Sequence, residues 1–192
     1  MKNTISLISL IAAFPAFAED SRALDAHEHG VGTMNIAVDD TAVVIEFEAP
    51  GADIVGFEYV AERDDDLAAI DAALSLLSAP LDLFVLPAAA GCKVVDVEAE
   101  LEGGEKDSDH DDHAEEEEHD HDHDDHDEET SHTEFHATYT LTCDATDELD
   151  EITFTYFDAF TNAREIEVQY IDLEGAKAFE VERDAPVLNL EP

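Results

Sequence analysis

The feature that most constrains this chain is the stretch from His110 to His126, HDDHAEEEEHDHDHDDH, in which every residue except Ala114 is His, Asp or Glu. Such a stretch has no apolar surface with which to offset the conformational entropy lost on ordering. Its composition therefore predicts a long, solvated, disordered loop and not a helix or strand of the fold. What it can do is bind metal. Imidazole suits zinc, copper and nickel, and carboxylate oxygen is a further zinc ligand; here His110, His113, His119, His121, His123 and His126 stand among interleaved carboxylates. His119, His121 and His123 share a face if the backbone is extended, whereas His119/His123 and His123/His126 share one if it coils. Several overlapping, exchanging sites are expected.

Two readings compete with metal capture. Blocks of like charge are commonly spacers, but a plain acidic linker does not call for six interspersed histidines. His121, His123, Asp125 and His126 also satisfy H-x-H-x-D-H, which resembles the metal-binding motif of metallo-β-lactamase-type hydrolases. In a run made almost wholly of His and Asp that match arises by chance, and Glu115 to Glu118 precede it where that fold needs a buried strand. The chain has no G-x-S-x-G elbow, no phosphate-binding Gly-rich loop and no H-E-x-x-H. The expectation is a non-enzymatic metal-binding protein, with a metal-dependent hydrolase as the alternative.

At the N-terminus, Lys2, the apolar stretch Ile5 to Phe14 and the small-residue site Ala16-Phe17-Ala18 read as a signal peptide over residues 1–18, cleaved before Glu19. The apolar stretch is too short for a permanent membrane span, and no later one is long enough. The mature protein is expected to be exported, soluble and periplasmic, without membrane insertion after cleavage. The chain carries 51 acidic and 8 basic residues; 17 of the acids fall between Glu105 and Glu134, which leaves 34 acidic against 7 basic residues elsewhere. A field of that sign repels nucleic acid and anionic membrane surfaces and attracts cations, so a nucleic-acid role is excluded. A saline habitat would account for the acids outside the run equally well.

Residues 19–192 read as one metal-binding domain of α+β class, mostly antiparallel strands, with residues 103–133 as the disordered His/Asp/Glu-rich insertion between two of them. Met34, Ile36 and Val38 alternate with small or polar residues, Asp39-Asp40 turns the chain, and Val43, Ile45 and Phe47 alternate again, which predicts a hairpin. Asp64 to Asp66 open a helix whose apolar positions Leu67, Ile70, Leu74 and Leu77 recur until Pro80; it is expected to be the main cover of the sheet. Leu83 to Leu86 read as a buried turn or short helix. Val95, Val97, Ala99 and Leu101 predict a strand before the insertion, and Phe135, Ala137, Tyr139 and Leu141 one after it, paired with the first. Later strands are expected at Ile152 to Tyr156, Ile166 to Tyr170 and Phe179 to Val181, before a tail at Val187 to Leu190. Cys92 and Cys143 then fall at the far ends of the two strands that flank the insertion. An exported compartment permits a disulfide there, and a two-Cys metal site is the lesser alternative.

The blocks HEHGVGTMNIAV, PGADIVGFEY, LFVLPAAAGC, FHATYTLTC and REIEVQYIDLEGAKAFEV resemble, in order, those of the ZrgA-type periplasmic zinc-binding proteins, and they cover nearly the whole mature chain. The resemblance implies a periplasmic zinc protein with a His/Asp/Glu-rich insertion, associated with zinc uptake. One block departs from that family: where relatives end in Gly-Phe-Glu-His, this chain has Gly56-Phe57-Glu58-Tyr59. Outside the run, His27 and His29 point the same way in an extended segment, and His136 lies on the polar face of its strand with His132 just before it. His27, His29 and His136 are candidate ligands of one ordered zinc site, completed by a carboxylate or water; the competing reading is that these histidines satisfy local hydrogen bonds or face solvent. The function expected is a zinc buffer or chaperone that works with a zinc importer. Imidazole and carboxylate would also accept copper or nickel, so a sink for those metals is the other alternative.

Overall fold

The computed structural model describes residues 28–103 and 132–190. The expected leader at 1–18, His27 and the six histidines of the run lie outside the described residues. Gly103, His132 and Thr133, which the sequence placed inside the insertion, are described, and Thr133 is buried.

Among the described residues, nine strands and four short or medium helices make a mostly-β, α+β arrangement. Strands β1 (Val31–Asp39) and β2 (Ala42–Pro50) are the expected hairpin. The chain turns between them at Asp40, the only described non-glycine residue with positive φ, a backbone region that Asp tolerates. Helix α1 (Gly51–Ile54) follows β2 directly, and α2 (Asp64–Leu77) begins on three aspartates that favour a helix N-terminus. Helix α3 (Pro80–Leu83) runs into the two-residue strand β3 (Phe84–Val85). Strands β4 (Lys93–Glu102) and β5 (Glu134–Thr142) flank the insertion and pair antiparallel, as expected. β6 (Glu151–Phe154), α4 (Tyr156–Ala159), β7 (Glu165–Asp172), β8 (Gly175–Glu182) and β9 (Val187–Asn189) complete the chain.

Six of the strands form one sheet in the order β4-β5-β2-β1-β7-β8; β3, β6 and β9 form a second. Period-2 alternation sends Met34 and Ile36, Val43, Ile45 and Phe47, Phe135, Ala137, Tyr139 and Leu141, and Ile166 and Val168 to one buried face. There an aromatic cluster meets them: Phe47 stands edge-on to Tyr156 at 5.2 Å and tilts against Phe84 at 5.6 Å, and Tyr139 approaches Phe84 at 6.3 Å. The opposite face carries Glu46, Glu48, His136, Thr138, Thr140, Glu167 and Gln169, none of them buried.

Five details differ from the sequence expectation. The sheet is covered on its core side by the β3–β6–β9 layer and its aromatics more than by α2, which buries Ile70, Ala73 and Leu77, leaves Leu67 exposed, and touches β4 and α3. Val95 is exposed because a bulge between Val94 and Asp96 shifts the alternation by one residue. Tyr156 begins α4 instead of ending a strand, and the expected tail is strand β9. β1 and β7 pair parallel, joining distant segments.

The β4–β5 pair is closed at both ends. Cys92 and Cys143 are disulfide-bonded just beyond one end, across a sequence separation of 51. At the other end Gly103 adopts φ +87° so close to the His132 carbonyl that any Cβ there would collide with it, so the two sides of the insertion meet. Tying a loop of that length should stabilise the fold by about 4 kcal/mol in the chain-entropy description. Reduction, or the paired change of both cysteines to Ala, is expected to lower the urea midpoint accordingly; an unchanged midpoint would show that the closed strand pair holds without the bond.

Candidate metal centre

Three separated segments converge beside the start of β5. The first is the turn before β1, which presents His29; the second follows α1 and supplies Glu58; the third is His132, which immediately precedes Thr133 and β5. His29 Nε2 lies 3.1 Å from both carboxylate oxygens of Glu58, and His132 Nδ1 lies 2.5 Å from Glu58 Oε2. The Glu58 side chain is 12% exposed, against 64% and 52% for the two histidines, so a half-sequestered carboxylate faces two accessible imidazoles.

Backbone contacts hold that carboxylate in place. Thr133 donates its amide to the Glu58 carbonyl at 3.1 Å, and Gly51 donates to the Thr133 carbonyl at 2.8 Å. A Cβ on Gly51 would come within 2.6 Å of the Phe57 carbonyl and 2.5 Å of the Thr133 hydroxyl, so only glycine allows these three strands of chain to close up. Asp53 fixes the other side. It is buried, and both its oxygens accept the Gly30 amide, at 2.8 and 3.0 Å, which anchors the turn that carries His29. Burial pushes the Asp53 carboxyl up from its ordinary range, against the Gly30 hydrogen bond and the charges of His29 and Arg164. His29, Gly30 and Asp53 also line an open cleft of about 440 Å³ with Asn162, Arg164 and Arg183.

For Glu58, burial raises the carboxyl, but hydrogen bonds from His132 and His29, and then their charge, outweigh it and leave the group below its ordinary 4.5. Its Oε1 is nevertheless buried without a hydrogen bond. Two imidazoles and one carboxylate are ligand types that zinc accepts, although among the described residues only Glu48, Glu134 and His136 bring three ligand atoms within 4.8 Å of one another, so His29 and His132 would have to close on Glu58 to share an ion.

His136 does not join this group. It lies on the open face of the large sheet, where Nε2 is 2.9 Å from Glu134 and 3.7 Å from Glu102 and Nδ1 is 3.6 Å from Glu48. The hydrogen bond that His136 donates to Glu134 raises its pKa, burial opposes this, and the charges of Glu134, Glu102 and Glu48 add to the rise. Among the described residues His29 and His136 reach different neighbours, since β2 lies between β1 and β5; His27, the third residue of the expected site, lies outside them. Tyr59, next to Glu58, stacks its ring on Phe57 at 4.7 Å and donates its hydroxyl to Asp66. Sequence reading missed Glu58 and Asp53. The only local signal was their place in the blocks PGAD and GFEY, since one carboxylate among 51 acidic residues is otherwise indistinguishable.

Compared with known families, the chain matches the family model described as ZrgA family zinc uptake protein over residues 26–190. No curated protein matches it.

Because the folded-state value of Glu58 is lowered, its contribution to stability is present above pH 4.5, the ordinary value, and is lost as pH falls through the lower folded one. The native protein should therefore exceed Glu58→Gln in urea midpoint near pH 6, and the gap should close as pH falls below about 4. A gap that stays constant across this range would mean that the carboxylate's charge does not hold the two histidines.

Proposed function

Since the chain belongs to the ZrgA family of zinc uptake proteins, we propose that it captures zinc in the periplasm and holds it for a zinc importer, as a buffer or chaperone and not as an enzyme. The observation that carries this reading is where the insertion is rooted. Its flanking residues Gly103 and His132 touch, and His132 is itself one of the two imidazoles on Glu58. The described residue that follows the insertion, which carries six histidines and many carboxylates, is thus part of a centre drawn from three distant segments.

Capture and retention then fall to different chemistry. The formal net charge of −43 raises the local concentration of cations, and the run offers ligands in more than one combination of four. Such sites release metal readily, because no surrounding structure locks one ligand set. At the ordered centre Glu58 is held by the backbone around Thr133, and His29 by the turn that Asp53 anchors. Zinc there would meet His29, Glu58 and His132, with the remaining position open to solvent and to an acceptor. An open position suits hand-off. The exposed imidazoles are the groups a partner would reach first, whereas the carboxylate stays behind.

Two measurements test this. The mature protein is expected to bind more than one zinc; removal of residues 108–129 should take away most of the capacity, and His29→Ala with His132→Ala should weaken the tightest site on the order of tenfold or more in chelator competition. A deletion strain should grow poorly and contain less zinc under zinc limitation, with copper and nickel excess as controls. Normal growth without zinc, together with failure under copper or nickel excess, would make the protein a detoxifying sink instead.

A further inference from the structure

We infer that His136, Glu48 and Glu134 form a second divalent-metal site, on the open face of the large sheet, with Glu102 at its edge. It goes beyond the zinc centre at Glu58 and shares no ligand with it. The site follows from register. On β5, Glu134 and His136 are two residues apart and point to the same face; Glu48 of β2 is directly opposite His136 on one side, and Glu102 of β4 is directly opposite Glu134 on the other. Three neighbouring strands therefore aim one imidazole and three carboxylates at a single patch.

The distances already suit an ion. One ligand atom each from Glu48, Glu134 and His136 can be chosen so that all lie within 4.8 Å of one another. Zinc bound at about 2.1 Å to tetrahedral ligands would set them about 3.4 Å apart. From His136 Nε2, Glu134 at 2.9 Å and Glu102 at 3.7 Å lie on either side of that value; Glu48 faces the other ring nitrogen, at 3.6 Å, so an ion shared by all would need the His136 ring or the Glu48 side chain to turn. The groups also sit on rigid elements: β2 and β5 are interior strands of the sheet, and the Glu134 side chain is 11% and that of His136 25% exposed. A second observation concerns charge. Glu102 and Glu134 are cross-strand partners, a like-charge arrangement unfavourable in a sheet, and a cation bound beside His136 would relieve it.

Chemically the two clusters differ. The Glu58 centre offers two imidazoles and one carboxylate, the softer set; the sheet-face cluster offers one imidazole and up to three carboxylates, a harder and more anionic set that binds a divalent ion with less nitrogen. Because its ligands come from β2, β4 and β5, it exists only in the folded chain. Ligands contiguous in sequence, as in the run at His110 to His126, remain contiguous in the unfolded chain, so zinc bound there shifts unfolding less.

Thermal unfolding of the full chain therefore isolates the ordered sites. We would compare the native protein, Glu48→Gln with His136→Gln, and His29→Ala with His132→Ala, each in chelator and in excess zinc. Cooperative melting in chelator establishes that each variant folds. The sheet-face pair is expected to lose part of the zinc-induced rise in melting temperature, and to weaken that component at least tenfold in a zinc titration, while the His29/His132 pair keeps it. A sheet-face pair that rises as far as the native protein overturns the second site. So does a His29/His132 pair that loses the whole rise, since the clusters would then not be separate. A His29/His132 pair that rises as far as the native protein counts against the Glu58 centre alone.

Discussion

Alternation along β5 is the constraint on which the rest of the molecule depends. Phe135, Ala137, Tyr139 and Leu141 enter the core, and Glu134, His136, Thr138 and Thr140 cannot follow them. A slip of one residue would bury a histidine and a glutamate among Phe47, Phe84 and Tyr156 and expose four apolar side chains, a cost no local hydrogen bond could offset. That register is held from both sides, by β2 and β4, and at both ends, by the disulfide and by the contact of Gly103 with His132. Once it is set, His132 falls beside Glu58 and His136 beside Glu48. The positions of both clusters are consequences of how one strand is seated.

The acidic surplus acts on this frame in two ways. On the open face, carboxylates stand on neighbouring strands, as at Glu102 and Glu134 or Glu167 and Glu180, where mutual repulsion is partly screened by water and salt. At the insertion's root the same sign of charge is drawn inward and desolvated. Glu58 is tolerated there because two imidazoles face it, and Asp53 because the Gly30 amide does. Cations are therefore favoured everywhere on the surface, but only where burial and geometry combine is there an ordered place for one.

Much of the fold was legible in the residues. The β1–β2 hairpin, the strands on either side of the insertion and their antiparallel pairing follow from apolar alternation, and the Cys92–Cys143 bond follows from the strand ends it joins. Less legible was what covers the sheet. Leu67, Ile70, Leu74 and Leu77 have helical spacing, yet the sheet's aromatics meet Phe84 and Tyr156 from short segments whose periodicity is too brief to read. The bulge that exposes Val95 left no sign in a run of valines.

What the sequence determined by itself is the class of chemistry. Six histidines among carboxylates, an acidic field and a period-2 chain make a metal-binding β protein, because ligand type, charge and alternation are properties of residues and of near neighbours. Which histidine works with which carboxylate was decided only by tertiary structure. His29, Glu58 and His132 are brought together by α1, the Gly51–Thr133 contact and the parallel pairing of β1 with β7, and His136 is given to Glu48 and Glu134 by strand order. Those are contacts between segments far apart in the chain, and among so many identical carboxylates no local pattern distinguishes the one that long-range packing will bury.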